Sequence, residues 1–232
     1  LQAQGRGDQW VELSADEGAE YDENDSIDLS ALEPLIACPS SPGNVAAVKD
    51  VAGSRVDQVI VGSSVNSSFR DLMVVAKIVE GRHAHPYTSF HVNPGSRQVL
   101  GNVAAQGGVI SLLHAGARIH EPGCLGCIGM SQAPATGSAS LRTFPRNFPG
   151  RSGTQGDQVY LAGPRVAAAT ALSGRIADAA LTDSHLPPSV LRVHATLAWQ
   201  LQESLASGDS ERLIRHARLL FAPSQRGAGD TV

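Results

Sequence analysis

A buried strand, a turn of small residues and a helix follow one another more than once in this chain, and this repetition constrains the fold most. Residues 56–62 read as a strand that ends in glycine, and residues 69–80 have helical spacing. A second unit combines a strand at 89–93, a turn at 94–96 and a helix at 109–115. Repeated units of this kind predict an α/β fold, a three-layer αβα arrangement around a mostly parallel sheet.

The later part of the chain continues the same pattern. A short strand is expected at 116–120 and another at 158–162, followed by an alanine-rich helix at 164–180 that has proline in its first turn. Residues 138–150 are rich in Pro, Phe and Arg and read as a loop. The elements of the α/β fold are therefore expected to extend to about residue 180.

The ends of the chain differ from its middle. The predicted organisation is, in chain order, a polar N-terminal segment at 1–26, the α/β domain at 27–182, a short C-terminal helical tail at 183–223 and a disordered end at 224–232. Within the tail, residues 189–206 and 210–221 read as amphipathic helices.

Composition limits the classes of partner. The chain has 232 residues, of which 42% are hydrophobic, so it has enough apolar side chains for an ordinary core. Its net charge is −4, from 18 basic and 22 acidic residues, which disfavours nucleic acid and anionic membranes as partners. No apolar stretch approaches a bilayer span and no signal peptide is recognisable, so we expect a cytoplasmic protein.

Two of the three cysteines, Cys124 and Cys127, stand close together among glycines. Thiolates at this spacing suit an iron–sulfur cluster or a zinc ion, although the pair fills only half of a tetrahedral site. The same spacing also occurs in redox dithiols. Cys38 lies in a proline-rich loop at 38–44 and reads as structural. The pattern alone leaves these alternatives open.

Three loops should meet at one edge of the predicted sheet. Residues 63–68, 94–96 and 122–129 each follow a predicted strand. In parallel sheets ligands bind at the carboxyl ends of the strands. This edge is therefore the expected site.

Three segments resemble aconitase and the large subunit of isopropylmalate isomerase in their order and spacing: residues 61–68, 122–129 and 146–151. Supporting matches lie at 27–30, 93–96 and 163–167. The resemblance covers about residues 26–178. It places the α/β domain in the cluster-carrying third-domain region of that family.

The resemblance implies a hydro-lyase that reversibly dehydrates and rehydrates a hydroxy tricarboxylic acid such as citrate, through a 4Fe-4S cluster acting as a Lewis acid. Cys124 and Cys127 match two of the three cluster ligands of that family. Arg146 and Arg151 match its substrate arginines, whose forked geometry suits carboxylates. Asn66 is a further expected substrate contact, and general acid or base residues are not recognisable.

One departure from the family concerns the third cluster ligand. Ser64 stands where the family has its third cysteine, and Pro145 stands where it usually has asparagine. Three alternatives follow: the cluster is held weakly with Ser64 or a water as ligand, Cys38 substitutes, or the cluster is lost. Ser64 is the candidate third metal ligand.

A second departure is length, because the family's other domains are not recognisable here. Activity would then need separate chains that supply the N-terminal and mobile C-terminal domains, or a missing N-terminal part of this protein. The alternative function is a non-catalytic binding module, for a polyanion or RNA, or a zinc-binding structural module.

Several candidate residues also have plain structural interpretations. Arg146 and Arg151 could be surface residues packed on Phe144 and Phe148. The histidines at 83, 85 and 91 are expected in the core or in solvent, and those at 114 and 120 to form hydrogen bonds around the cysteines.

Overall fold

The structure, a computed structural model, describes residues 7–177. Residues from Glu33 onward form one compact unit, and residues 7–32 belong to another. The stretch 7–32 contains a 3-10 turn at Gly7–Gln9. The predicted helical tail, its two helices and the disordered end lie outside the described residues, so those expectations stay predictions.

The compact unit is built on a seven-stranded sheet with the order β2-β1-β7-β6-β3-β4-β5. The strands are β1 (Leu35–Ala37), β2 (Val45–Ala47), β3 (Gln58–Gly62), β4 (Ser89–Asn93), β5 (Arg118–Ile119), β6 (Ala139–Arg142) and β7 (Gln158–Leu161). Strands β3 to β7 are parallel, whereas β1 is antiparallel to both of its neighbours. The α/β class and the mostly parallel sheet are therefore confirmed.

The helices are α1 (Val48–Val51), α2 (Phe69–Val79), α3 (Arg97–Ala105), α4 (Gly108–His114) and α5 (Pro164–Ser173). Helix α2 begins with a capping box, in which the Ser68 hydroxyl accepts from the Asp71 backbone and the Asp71 carboxylate accepts from the Ser68 backbone. Helix α5 has proline in its first turn, as predicted. It ends at Ser173 and not at residue 180, because Gly174 adopts a left-handed conformation with φ 72° that terminates the helix.

The expected loop at 138–150 is wrong at its beginning, because Ala139–Arg142 forms β6 in the middle of the sheet. This strand alternates small polar, apolar and charged residues, so it lacks the apolar run by which buried parallel strands are recognised. Sequence analysis also missed α3 and the hairpin of β1 and β2, whose turn is the proline-rich loop at 38–44.

The order of the strands places different segments on the two faces of the sheet. The chain moves from β3 through β4 to β5 in one direction, then returns to β6 and continues to β7 in the other. Because such connections are right-handed, those from β3 to β4 and from β4 to β5 cross one face of the sheet, and those from β5 to β6 and from β6 to β7 cross the other. Helices α3, α4 and α5 contact α2 on one side, here called the helix face.

The opposite side, here called the loop face, is covered by the β5–β6 connection, residues 120–138, named the cysteine loop. In β3 the helix-face residues Val59 and Val61 alternate with Gln58 and Ile60 of the loop face, and all four are buried. Ile60 packs with Cys127 of the cysteine loop. Among the described residues, the second outer layer of the predicted three-layer arrangement thus consists of loops.

Candidate functional site

The candidate site lies where β3, β4 and β6 end, at the boundary where the strand order reverses. The Ser63 backbone donates to the Asn93 carbonyl at 3.0 Å, and the Gly123 backbone donates to the Pro94 carbonyl at 3.2 Å. The hydroxyl of Ser63 lies 3.1 Å from Cys124 Sγ. The predicted convergence of the three loops at one sheet edge is thereby confirmed.

Two glycines make this close approach possible. Gly62 has φ 110°, and a Cβ on it would overlap the carbonyl oxygen of Asn93. Gly129 has φ 77°, and a Cβ there would overlap the carbonyl oxygen of Ser152. Any side chain at either position would push the loops apart in addition to straining the backbone.

Cys124 presents its sulfur to solvent beside two serines. Its Sγ lies 3.1 Å from the Ser63 hydroxyl and 3.9 Å from that of Ser64. Burial raises the pKa of the Cys124 thiol, but hydrogen bonds from Ser63 and Ser64 outweigh that effect and leave the pKa below its ordinary value. The thiolate, which is the form that binds metals, is therefore favoured here.

Cys127 is only 1% exposed and packs in an apolar cluster with Ile60 and Phe144. Burial raises the pKa of its thiol, and a hydrogen bond that Arg151 Nη2 donates to its Sγ at 3.2 Å opposes that rise. The two cysteines thus differ, one exposed with a lowered pKa and one buried beside a cation. Both sulfurs still lie on the same short turn, Gly126–Ile128 and the residues before it.

A buried arginine fixes this turn to the sheet. Arg142 is 0% exposed, and its Nη1 donates to the Gly126 carbonyl at 2.9 Å. On the sheet side its Nε donates to Ser140 Oγ at 2.9 Å and its Nη2 to Gln58 Oε1 at 3.0 Å. A fourth bond reaches the carbonyl of Gln132 at 3.3 Å.

The charge of Arg142 survives this burial. Desolvation lowers its pKa to about 10, so the guanidinium is still protonated at neutral pH. Its charge adds to that of Arg151 close to Cys127. Two guanidinium groups thus lie beneath the cysteines, and the carboxylate of Asp157 is close enough to Arg142 to raise its pKa against the effect of burial.

The three expected substrate-binding residues occupy different surroundings. Arg151 lies within this group, with its guanidinium also 5.8 Å from the ring of Phe148. Its Nε is buried and has no hydrogen-bond partner among residues 7–177. Arg146 is exposed on the same loop. Asn66 uses its Nδ2 to donate to the Thr143 carbonyl at 2.8 Å, which ties the β3 loop to the end of β6.

The side chains around Cys124 and Cys127 determine whether the cluster implied by the resemblance could bind here. Within the described part of the chain, no three side chains of His, Cys, Asp or Glu are grouped to hold a metal ion, so Cys38 does not join Cys124 and Cys127. The nearest further donors to Cys124 are the hydroxyls of Ser63 and Ser64. The residues therefore fit a cluster held by two thiolates and one hydroxyl, and the buried unpaired donor of Arg151 suits an anionic group.

A histidine pair lies next to the cysteine loop on the same face. His91 Nδ1 is 3.1 Å from His120 Nε2, and His91 Nε2 is 2.6 Å from Ser89 Oγ. His91 is 0% exposed, so the expectation of a core histidine is confirmed for it. The pair links β4 to the first residue of the cysteine loop. The expected role of His120 in hydrogen bonds around the cysteines stays a prediction.

A separate cavity lies at the opposite edge of the sheet, away from the cysteines. It has a volume of about 170 Å³ and is lined by residues that include Arg55, His85 and Arg175. Arg55 pairs with Asp57 at 2.9 Å, and Arg175 donates to the carbonyl of Gly53 at 2.7 Å. This edge lies before the first residue of β3, away from the loops that carry the cysteines.

Two side chains that shape the site were not recognised as such from the sequence: Arg142 was not singled out, and Phe144 was named only as a packing surface for Arg146 and Arg151. Arg142 follows a short polar stretch and reads as a surface charge from its surroundings in the sequence. Phe144 is buried under the cysteine loop, with the Arg142 guanidinium 5.7 Å from its ring centre. The pattern of the neighbouring residues contains no signal for either contact.

Comparison with known proteins adds an independent result. The model of the Aconitase family (aconitate hydratase) matches residues 46–174. The 3-isopropylmalate dehydratase large subunit of Moorella thermoacetica is 40% identical over 164 residues, which are 70% of this chain and 39% of that protein. The homoaconitase large subunit of Thermus thermophilus is 42% identical over 163 residues, 70% of this chain and 39% of that protein.

A third relative, the 3-isopropylmalate dehydratase large subunit 1 of Deinococcus radiodurans, is 41% identical over 182 residues. These are 78% of this chain and 40% of that protein. The chain thus spans about two-fifths of the length of the relatives it matches. No helix among residues 7–177 is long and apolar enough to cross a membrane.

Proposed function

Because this chain belongs to the aconitase family, we propose that it is the cluster-carrying part of a hydro-lyase that reversibly dehydrates and rehydrates a hydroxy acid bearing several carboxylates. The observation that carries the proposal is the meeting of Cys124, Cys127 and Arg151 where the strand order reverses. Family membership supports the class of chemistry, and this arrangement supports its assignment to these residues.

Cys124 and Cys127 would hold a 4Fe-4S cluster, with the hydroxyl of Ser64 at the third position. The cluster supplies a Lewis acid that stabilises the negative charge of a departing hydroxyl. Hydrogen bonds with the hydroxyls of Ser63 and Ser64 lower the pKa of Cys124, and the Arg151 guanidinium opposes the burial that raises the pKa of Cys127.

Arginines of this site suit the substrate. Arg146 is exposed on the loop that carries Arg151, and the two guanidinium groups can bind carboxylates in a forked geometry. Asn66 is engaged with Thr143, so its proposed contact to substrate would use the free amide oxygen. The relatives' names point to 3-isopropylmalate and homoaconitate as substrates to compare with citrate.

Two further parts of the proposal concern partners and place. The relatives are named as large subunits, so we propose that a separate chain completes the site over the cysteine loop. We also propose a cytoplasmic location and no nucleic-acid partner.

The first test is cluster loading. The purified chain is incubated anaerobically with ferrous iron and sulfide, and iron, sulfide and absorbance near 400 nm are measured. We expect a cluster in the wild type and loss of it in Cys124→Ser and Cys127→Ser. Cys38→Ser is the matched control and should load normally, because Cys38 lies apart from the other two thiols.

The second test is turnover. The loaded chain is assayed with 3-isopropylmalate, homoaconitate and citrate, alone and with the products of neighbouring genes. Turnover that depends on Arg151 supports the hydro-lyase. A wild-type chain that takes up no iron, or a loaded complex inactive on all these acids, would instead favour the non-catalytic binding module that the missing third thiol suggests.

A further inference from the structure

Asn93 carries an amide that is buried beneath the cysteine loop without a hydrogen-bond partner. The side chain is 1% exposed, and neither Oδ1 nor Nδ2 is bonded to any group in residues 7–177. A buried amide without partners opposes folding, and buried polar groups in proteins are nearly always paired. The stability of the domain therefore gives no reason for asparagine at this position.

The position of Asn93 connects it to both cysteines. Its backbone carbonyl accepts from Ser63, the residue whose hydroxyl contacts Cys124. On the other side it lies against Gly126, where an added Cβ would come within 2.8 Å of Asn93 Oδ1. Glycine between the two cysteines thus leaves room for this amide directly under the turn.

A second buried asparagine at the same edge shows what a structural role looks like. Asn147 is 2% exposed, and its Nδ2 donates to the carbonyls of Cys38 at 2.9 Å and Val159 at 3.0 Å. These bonds tie the loop after β6 to β7 and to the β1–β2 turn. Asn93 has equal burial and none of this bonding within the described chain.

The charges around Asn93 indicate which ligand its amide would meet. Arg142 holds the carbonyl of Gly126, and Arg151 reaches Cys127. Arg151 Nε is a second buried donor left unpaired among the described residues. The unpaired donors of Asn93 and Arg151, close to the charge of Arg142, suit an anionic group.

We propose that Asn93 is a binding residue of this site, whose Nδ2 donates a hydrogen bond to the anionic, sulfur-bearing centre held by Cys124 and Cys127. The inference deepens the proposed function and rests on it for the identity of that centre. Hydrogen bonds to cluster sulfurs and to metal ligands stabilise the bound form and tune its reactivity.

The first measurement concerns the metal-free chain. Asn93→Leu keeps the shape of the side chain and removes the unpaired amide, so its midpoint in urea should be higher than that of the wild type by about 0.5 M. Asn147→Leu is the matched control and should have a lower midpoint, because it loses two bonds. If Asn93→Leu lowers the midpoint as Asn147→Leu does, the amide has a structural partner and the proposal is overturned.

The second measurement concerns the loaded chain. Wild type and Asn93→Leu are loaded anaerobically with ferrous iron and sulfide, and the release of iron to a chelator is followed. We expect release to be about tenfold faster in Asn93→Leu, the opposite direction to its effect on metal-free stability. A purely structural residue would move both quantities in the same direction.

Failure of this inference can be told apart from failure of the proposed function. A wild type that takes up no iron removes the hydro-lyase proposal. The release experiment is then made with zinc, which cysteine pairs also bind. Faster zinc release from Asn93→Leu than from the wild type supports the binding role of Asn93, and equal release of iron or zinc from the two proteins overturns it.

Discussion

The same strands form both faces of the sheet, but the side chains on the two faces have different roles. On the helix face the central strands present apolar side chains such as Val59, Val61 and Leu141, all 0% exposed. On the loop face, neighbouring residues of the same strands include His91 and Arg142, which are equally buried. The helix face is a hydrophobic core, and the loop face combines an apolar cluster around Cys127 with a hydrogen-bonded support for the cysteines.

The two faces therefore contribute differently to the stability of the domain. Apolar burial on the helix face is favourable wherever it occurs. Burying a histidine or an arginine is unfavourable unless each polar atom finds a partner. At His91 and Arg142 the loop face meets that condition through neighbouring polar residues such as Ser89 and Gln58, and so can position a site that the helix face could not.

The sharpest way to test the comparison is to change adjacent residues of β6 that face opposite ways. Leu141→Ala opens a cavity on the helix face and should cost about 3 kcal/mol of unfolding free energy. Its effect should be global, because the core is shared. Urea denaturation measures the loss, and alkylation of Cys127 by iodoacetamide in the native state should stay slow.

Arg142→Met on the loop face should have a smaller global effect and a larger local one. The substitution removes a buried charge but leaves the carbonyl of Gly126 unpaired, for a net loss of about 2 kcal/mol. The turn between the cysteines should loosen, and alkylation of Cys127 should become about tenfold faster. Arg175→Met, an exposed arginine that also donates to a carbonyl, is the control. Unchanged Cys127 protection in Arg142→Met would contradict the view that this residue fixes the loop.

As the pH falls, interactions on the loop face should be lost at a higher pH than those on the helix face. The pKa of His91 is lowered from 6.5 to about 4. Burial is the main cause, and the charges of His120, Arg118 and Arg142 add to it. The unfolded chain takes up the proton near pH 6.5 and the folded chain only near pH 4, so this contribution to stability is complete above pH 6.5 and is lost as the pH falls toward 4.

We therefore expect the wild type to lose about 2 kcal/mol between pH 7 and pH 5 relative to His91→Gln. The measurement is the unfolding free energy of both proteins in urea at several pH values. Parallel pH curves for the two proteins would show that His91 is not the group responsible.

The smallest expected effect lies at the beginning of α2, on the helix face. Ser68→Ala removes the side chain that accepts from the Asp71 backbone and should cost about 1 kcal/mol. Ser68→Asn keeps a capping oxygen and should cost little. Neither variant should change iron loading, and a loss of loading in Ser68→Ala would mean that the two faces are coupled more strongly than their separate packing implies.

Much of the fold followed from local sequence patterns. Residues 56–62 contain an apolar run and residues 89–93 alternate polar and apolar side chains, and both segments are followed by turns, so these signals require no tertiary knowledge. The end of α5 also has a local signal, Gly174, which the predicted helix at 164–180 did not take into account. Strand β6 could not be predicted in this way, because its polar side chains are buried by contacts with Gln58 of β3 and with the cysteine loop.

The sequence by itself determined that strands, turns and helices alternate, that the two thiols share one turn, and that the chain resembles the aconitase family. These properties depend on residues close together in the chain. Only the tertiary structure decided that Arg142 and Asn93 lie under that turn, and that Cys38 stays apart from it within the described residues. The physical reason is that the burial and hydrogen bonding of a polar side chain depend on residues distant in sequence. The order of the strands brings these residues together on one face of the sheet.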